Sequence, residues 1–205
     1  MELIGMLDSP YVRRVAIALK RLDLTFDHRS LSVFRDVEEF SLVNPLVKAP
    51  TLVCDDGTVL VDSTLILDYI EDLAGPEKSL MPDDPALRLK ARQLIGIALV
   101  ACEKTVQIVY EQTLRPPEKQ HQPWLDRVTK QLHGAYGQLE AAVKNLPSSW
   151  LLGDTVLQPD ITIGVAWRFS QFMIADMISA EEYPALAAFS AELEALPEFQ
   201  ATPLE

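Results

Sequence analysis

Cysteine and histidine are scarce in this chain. Its 205 residues hold two cysteines, Cys54 and Cys102, and three histidines, His28, His121 and His133. Two cysteines without a CxxC spacing exclude a disulfide framework and thioredoxin-type dithiol chemistry. The histidines fall at no metal-ligand spacing and have no cysteine near them, which argues against structural zinc; no metal site is expected. Basic residues are also in deficit, 18 Lys and Arg against 30 Asp and Glu, for a net charge of −12. Such an acidic surface suits neither a phosphate backbone nor anionic lipid, so neither nucleic acid nor a membrane is expected as a partner. No apolar run approaches the roughly 20 residues that span a bilayer. The opening "MELIGMLDSP" lacks a basic n-region and a long apolar h-region, so a cytoplasmic location is expected. Repeats and low-complexity tracts are absent. What is present suffices for a core: 48% hydrophobic and 23% charged residues, in a length that fits one large domain or two small ones. The closing Leu204 and Glu205 carry no fold argument.

The pattern changes character along the chain. Residues 2–6 are short, apolar and strand-like. Val12, Val15, Ala16, Leu19 and Leu22 then recur at helical spacing, with Arg13, Arg14, Lys20 and Arg21 between them. "TFDHRSL" alternates as a half-buried strand would, and "RDVEEFSLV" reads as a short irregular helix. In "PTLVCDDGTVLVD" two β-rich runs flank Asp56 and Gly57, the signature of a tight antiparallel hairpin. "STLILDYIEDLAG" opens on Ser63 as a cap and closes on Gly75. The first third is therefore β-α-β-α-β-β-α, the order of a thioredoxin-like unit whose first two strands, if parallel, need a right-handed crossover. "GPEKSLMPDDPAL" reads as a linker, and everything beyond Pro85 as helix. The expected organisation is α/β plus all-α: a thioredoxin-like domain at 1–75, a linker at 76–85, and a helical bundle at 86–205.

Four local features bear on chemistry. Ser9 precedes Pro10 at a helix start, where proline is favoured because its missing N–H has no partner there, and this places Ser9 at the N-cap. The same helix end presents free N–H groups and a positive dipole end, and a hydroxyl there can donate to a thiolate. Pro50 stands directly before an apolar strand. It is either a plain strand-start proline or a cis residue that turns the backbone of Ala49 outward toward a peptide-like ligand. Asp62 and Ser63 precede a helix, where a hydroxyl and free N–H groups suit a carboxylate and the acid suits an ammonium. Asp160 sits three residues beyond Leu157, in the place of a capping-box acid, and its expected role is to fix the start of a buried helix.

Taken in order, Ser-Pro on the first helix, N-P-x-x-x-x-P before the third strand, Asp-Ser on the next helix, a proline-rich linker and an all-helical half with G-x-x-x-x-x-x-D resemble a soluble glutathione S-transferase. The likeness extends over the whole chain and is nearest to serine-type bacterial members. It implies glutathione as cosubstrate, with no metal. It makes Ser9 the hydroxyl that hydrogen-bonds the glutathione sulfur, Ala49 the backbone partner of the cysteinyl part beside a cis Pro50, Asp62 and Ser63 the holders of the γ-glutamyl end, and Lys48 the cation for the glycyl carboxylate. Arg14 matches a recurrent arginine that serves as a structural ion-pair partner. Tyr11 and Tyr110 are candidate walls of an electrophile pocket, expected between the two halves, or else packing residues. The family commonly places a β-branched residue or leucine where Ala49 stands, and Ser or Thr where Leu157 stands; loss of that cap costs about 1 kcal/mol. A homodimer is the family's usual assembly.

The chemistry so implied is affordable. A free thiol with pKa of about 8.5 is only slightly ionised at neutral pH, and lowering it by about two units requires roughly 2.7 kcal/mol. A hydrogen bond to a charged group supplies about 1.5–3 kcal/mol and a helix N-terminus about 0.3–1 kcal/mol. Ser9 thus suffices without a base, stabilising a thiolate that attacks small hydrophobic electrophiles or organic peroxides. The alternative is a non-catalytic binding or regulatory protein on the same fold. A thiol-disulfide or dehydroascorbate reductase would need cysteine at position 9, whereas Cys54 and Cys102 both read as core residues.

Overall fold

The apolar residues after Met1 form β1 (Glu2–Ile4), the centre of a four-stranded sheet with β2 (Asp27–Arg29), β3 (Thr51–Val53) and β4 (Val59–Val61) in the order β2-β1-β3-β4. β1 runs parallel to β2, and β3 antiparallel to both β1 and β4. The computed structural model describes residues 1–146 and 148–204; Pro147 and Glu205, the latter one of the closing pair, lie outside them. The chain divides into two units, Met1–Leu80 with Ala195–Glu205, and Met81–Glu194.

In the first unit the β1–β2 crossover is α1 (Pro10–Arg21); α2 (Val37–Val43) precedes β3, and α3 (Ser63–Ala74) follows β4. The β3–β4 turn closes where expected: the N–H of Cys54 donates to the Thr58 carbonyl (2.8 Å), and Gly57 takes φ +86°. The periodicity of α1 suggested that Arg13 and Arg14 lie between its apolar positions, yet both are buried at 1% exposure. For Arg13 the reason is distant in sequence. Its Nε donates to the Thr202 carbonyl (2.8 Å) and its guanidinium lies 5.7 Å from the centre of the Phe199 ring. Arg21 forms an ion pair with Glu198. These contacts fasten α8 (Pro197–Gln200) to the first unit, whereas the sequence pattern alone assigned 86–205 throughout to the helical half.

The second unit is built on α4 (Pro85–Thr113), α5 (Gln122–Lys144), α6 (Gln158–Ile174) and α7 (Pro184–Glu194), with α4 packed against both α5 and α6. Thirteen of the residues of α6 are buried, as its apolar composition requires. Its start lacks a side-chain cap because Leu157 has no acceptor, and Asp160 compensates: its two carboxylate oxygens accept from the N–H of Leu157 (2.8 Å) and of Leu151 (3.0 Å). Tyr136, Ser170 and Thr105 join α5, α6 and α4 through buried hydroxyls, 2.6 Å apart at each link, with Tyr136 donating to the Ala166 carbonyl (2.9 Å). One sequence expectation needs correction. α4 is long and apolar enough, by length and composition, to cross a membrane, with mean hydropathy 1.3 over 18 residues. Glu103 and Lys104 interrupt its apolar sequence and mask its overall hydropathy. Here it is packed within the helical unit, with Ala91, Leu94, Ala98, Ala101 and Cys102 buried.

Candidate active site

Segments far apart in sequence meet at one end of the sheet of the first unit, and strand register explains why. Ile4 pairs with Arg29 in β2 and with Thr51 in β3, and Thr51 pairs with Val61 in β4. The chain leaves β1 beyond Ile4 toward Ser9, enters β3 from Lys48, Ala49 and Pro50, and leaves β4 beyond Val61 toward Asp62 and Ser63. All three motifs therefore lie on the same edge.

Gly5 sets the spacing between two of them. It takes φ +133°, and a Cβ built there would lie 2.7 Å from Val12 Cγ2 on α1 and 2.9 Å from Ala49 Cβ. Only a residue without a side chain lets α1 and the segment before β3 approach so closely. Arg35, from the segment after β2, also reaches this edge, its Nη2 3.3 Å from Met6 Sδ.

Ser9 has extended φ/ψ at the N-cap of α1, and its carbonyl accepts from the N–H of Arg13 (2.9 Å). Its hydroxyl makes no cap hydrogen bond. The N-cap position expected of Ser9 holds, but its hydroxyl takes no part in the cap: backbone and Pro10 start the helix, and the hydroxyl of this partly exposed residue is left uncommitted at the positive end of a 12-residue helix. The next expectation shifts by one residue. Asp62, not Ser63, is the N-cap of α3, with φ +71° and its carboxylate accepting from the N–H of Thr64 (2.8 Å). Either residue type can cap, and the left-handed backbone at Asp62 decides which does. Ser63 becomes the first helical residue, buried, while Asp62 and Lys48 are exposed.

The Ala49–Pro50 bond is cis. Ahead of it, Val47 takes φ +47°, a conformation rare for a β-branched residue. Asn44, which carried no assigned role in the sequence, holds this turn. Its Nδ2 donates to Thr51 Oγ1 (2.8 Å), its Oδ1 accepts from the N–H of Leu46 (3.0 Å), and its carbonyl accepts from the N–H of Val47 (2.9 Å). Thr51 in turn donates to the Lys48 carbonyl (2.6 Å). The only signal for this in sequence was an amide residue and a hydroxyl residue bracketing the two prolines.

Tyr11 is the second residue of α1, half-buried beside Ser9. Tyr110 belongs to the helical unit and is 43% exposed; with Leu114 and Trp124 it lines a cavity of about 470 Å³. Both cysteines are buried and unbridged. Among the described residues no group of three His, Cys, Asp or Glu side chains is placed to hold a metal.

Comparison with known proteins places this geometry in context. The family model described as glutathione S-transferase, N-terminal domain, matches residues 3–78, and that for the glutathione S-transferase C-terminal domain matches residues 122–192. The GST-like protein YibF of Escherichia coli K12 is 30% identical over 172 residues, 84% of this chain and 83% of that protein. A probable maleylacetoacetate isomerase of Drosophila melanogaster is 27% identical over 92% of this chain and 74% of its own length. A glutathione S-transferase from Methylobacterium radiotolerans, solved in complex with glutathione sulfonate, superposes with a TM-score of 0.90 at 27% identity, covering 100% of this chain and 95% of that one.

Proposed function

Since the chain belongs to the glutathione S-transferase superfamily, we propose that it is a glutathione transferase that holds the tripeptide at the Ser9 edge of the sheet and activates its thiol for attack on small hydrophobic electrophiles or organic peroxides. The observation that carries this reading is the strand register: it gathers an uncommitted hydroxyl at a helix N-terminus, the backbone of Ala49, and the Asp62 and Ser63 pair at the start of a second helix.

Each group has a chemical task there. The Ser9 hydroxyl donates to the thiolate, and the N-terminus of α1 adds its dipole; together they supply the roughly 2.7 kcal/mol that a two-unit fall in thiol pKa requires. The Ala49 N–H and carbonyl pair with the cysteinyl portion. Ser63 and the α3 N-terminus take the γ-glutamyl carboxylate, Asp62 its ammonium, and Lys48 the glycyl carboxylate. Pro50 shapes the turn. Tyr11, two residues beyond Ser9, furnishes apolar surface for the second substrate, and Tyr110 lines a cavity of the helical unit that is a candidate for the same task. Ser9 keeps its own proton throughout, so no histidine base is called for. The relative solved with glutathione sulfonate supports glutathione as the ligand. We read the protein as a cytoplasmic homodimer; the exposed apolar side chains of Leu87, Leu89 and Val100 on α4 support a second copy as their cover.

The test is Ser9→Ala. It should bind glutathione with affinity near that of the parent, while conjugation of a chlorodinitrobenzene at pH 6.5 falls by about 10–150-fold and the apparent thiol pKa rises toward the free value. An unchanged rate and pKa would remove Ser9 from the chemistry. Absence of glutathione binding at millimolar concentration would instead favour a non-catalytic interaction protein.

A further inference from the structure

We propose that Asn44 and Thr51 form a buried positioning relay that fixes the backbone of Lys48 and Ala49 in register with the thiol end of glutathione, so that affinity for the tripeptide depends on two residues that do not touch it. The inference rests on the glutathione site proposed above and deepens it.

The segment from 44 to 51 has reasons to move. Val47 sits in the left-handed region, where a β-branched residue is disfavoured, while Leu46 and Lys48 are exposed. Apolar packing is one restraint, because Val47 and Ala49 pack against the Ile4, Leu31 and Phe40 cluster. It fixes where those side chains lie but does not orient the peptide planes between them. The polar relay does. Asn44 and Thr51 are 3% and 0% exposed, in contact with each other, and placed at the two ends of the segment. The hydrogen bonds run in one direction: the Asn44 amide donates to Thr51 Oγ1, which has one proton and gives it to the Lys48 carbonyl. The remaining Asn44 acceptors hold the N–H groups of Leu46 and Val47. Two peptide units on the near side of Ala49 are thereby anchored, and Thr51 itself is locked into the sheet on both flanks by its pairing with Ile4 and Val61.

The Lys48 carbonyl belongs to the same peptide plane as the Ala49 N–H. When Thr51 donates to that carbonyl, the plane is fixed and so is the direction in which the Ala49 N–H points. A ligand that pairs with Ala49 then meets a pre-set donor rather than one it must order, which lowers the entropic cost of binding. Without the relay that plane is free to rotate. The thiol is served by Ser9 on a different segment, so loss of the relay weakens binding and leaves thiol activation intact.

Three variants test this: Asn44→Ala, the isosteric Thr51→Val, and Thr51→Ser, which retains the hydroxyl. Glutathione Kd is measured by calorimetry, and conjugation is followed at saturating glutathione from pH 5.5 to 9. Asn44→Ala and Thr51→Val should each raise Kd by about tenfold. Thr51→Ser should stay within about twofold, and the saturated rate and its pH profile should be unchanged in all three. The double variant should be no worse than either single one, because both break one relay. Thermal destabilisation of Asn44→Ala and Thr51→Val with Kd unchanged would make the pair merely structural and overturn the proposal, as would additive losses in the double variant. If the parent protein itself fails to bind glutathione, the site reading falls and this inference with it; parent binding with insensitive variants removes this inference alone.

Discussion

Replacing Gly5 by alanine tests the close approach on which the site depends. A methyl group there would stand 2.7 Å from Val12 Cγ2 and 2.9 Å from Ala49 Cβ, where carbon atoms prefer roughly 3.5–4.0 Å. Both neighbours must therefore retreat by about an ångström, or the glycine backbone must turn from φ +133°. Overpacking of this kind costs about 1–3 kcal/mol, and a side chain held in that backbone region another 1–3. The sum, about 2–6 kcal/mol, is a large part of the roughly 5–15 kcal/mol that keeps a domain folded. At about 2–4 °C per kcal/mol the melting temperature should fall by roughly 4–24 °C. Relief of the clash displaces either the first turn of α1 or the Ala49 segment, so the surviving folded protein should also bind glutathione less tightly. Denaturant unfolding and calorimetric titration of Gly5→Ala, Val12→Ala and the double variant separate these effects. Val12→Ala removes one of the two clashes, so the double variant should be more stable than additivity predicts, by about 1 kcal/mol or more. Rescue should be partial, because the Ala49 contact and the backbone conformation remain. A Gly5→Ala protein within about 0.5 kcal/mol of the parent, with unaltered glutathione affinity, would refute the reasoning.

Three further predictions concern the helical unit. Asp160→Ala should cost about 3–5 kcal/mol in urea unfolding, because the N–H groups of Leu151 and Leu157 lose a charged acceptor in a buried setting. Tyr136→Phe should cost about 1–3 kcal/mol, since it takes the donor from the Ala166 carbonyl and the acceptor from the Ser170 hydroxyl. Glu111 is held below the usual carboxylate range by the N–H of His121 and then by Arg115. Its ionised form therefore contributes stability that is fully present above the unfolded-state value and is lost as pH falls through the lower folded-state value. Urea midpoints measured from pH 3 to 7 should show a shallower acid limb in Glu111→Gln.

How much of this was legible in sequence depended on whether the cause was local. The β3–β4 hairpin was, because Asp56 and Gly57 carry the turn in their own backbone preferences. So was Asp160, whose role follows from its distance to Leu157. The choice of cap at α3 was not: Asp62 and Ser63 are both competent, and what separates them is the φ of +71° at Asp62, imposed by the exit from β4. Nor was the burial of Arg13, whose acceptors lie 186 to 189 residues away. The three motifs of the site could be listed from sequence and matched to a family, but their meeting at one edge needed the pairing of Thr51 with both Ile4 and Val61. Asn44 was invisible for another reason: an amide beside a proline reads as an ordinary turn residue until the hydroxyl it binds is known.

The return of α8 to α1 gives the molecule a particular order of assembly during synthesis. Residues 1–80 leave the ribosome first, yet the carbonyl groups that receive the Arg13 guanidinium belong to Phe199 and Thr202 and are made only after the entire helical unit, Met81–Glu194, has been translated. At about 5–20 residues per second, that interval lasts on the order of ten seconds. Throughout it the Phe199 and Thr202 carbonyls that receive the Arg13 guanidinium are still unmade, while α1 also carries Arg14, Lys20 and Arg21. The half that bears the candidate site thus begins before the helical unit and is completed after it.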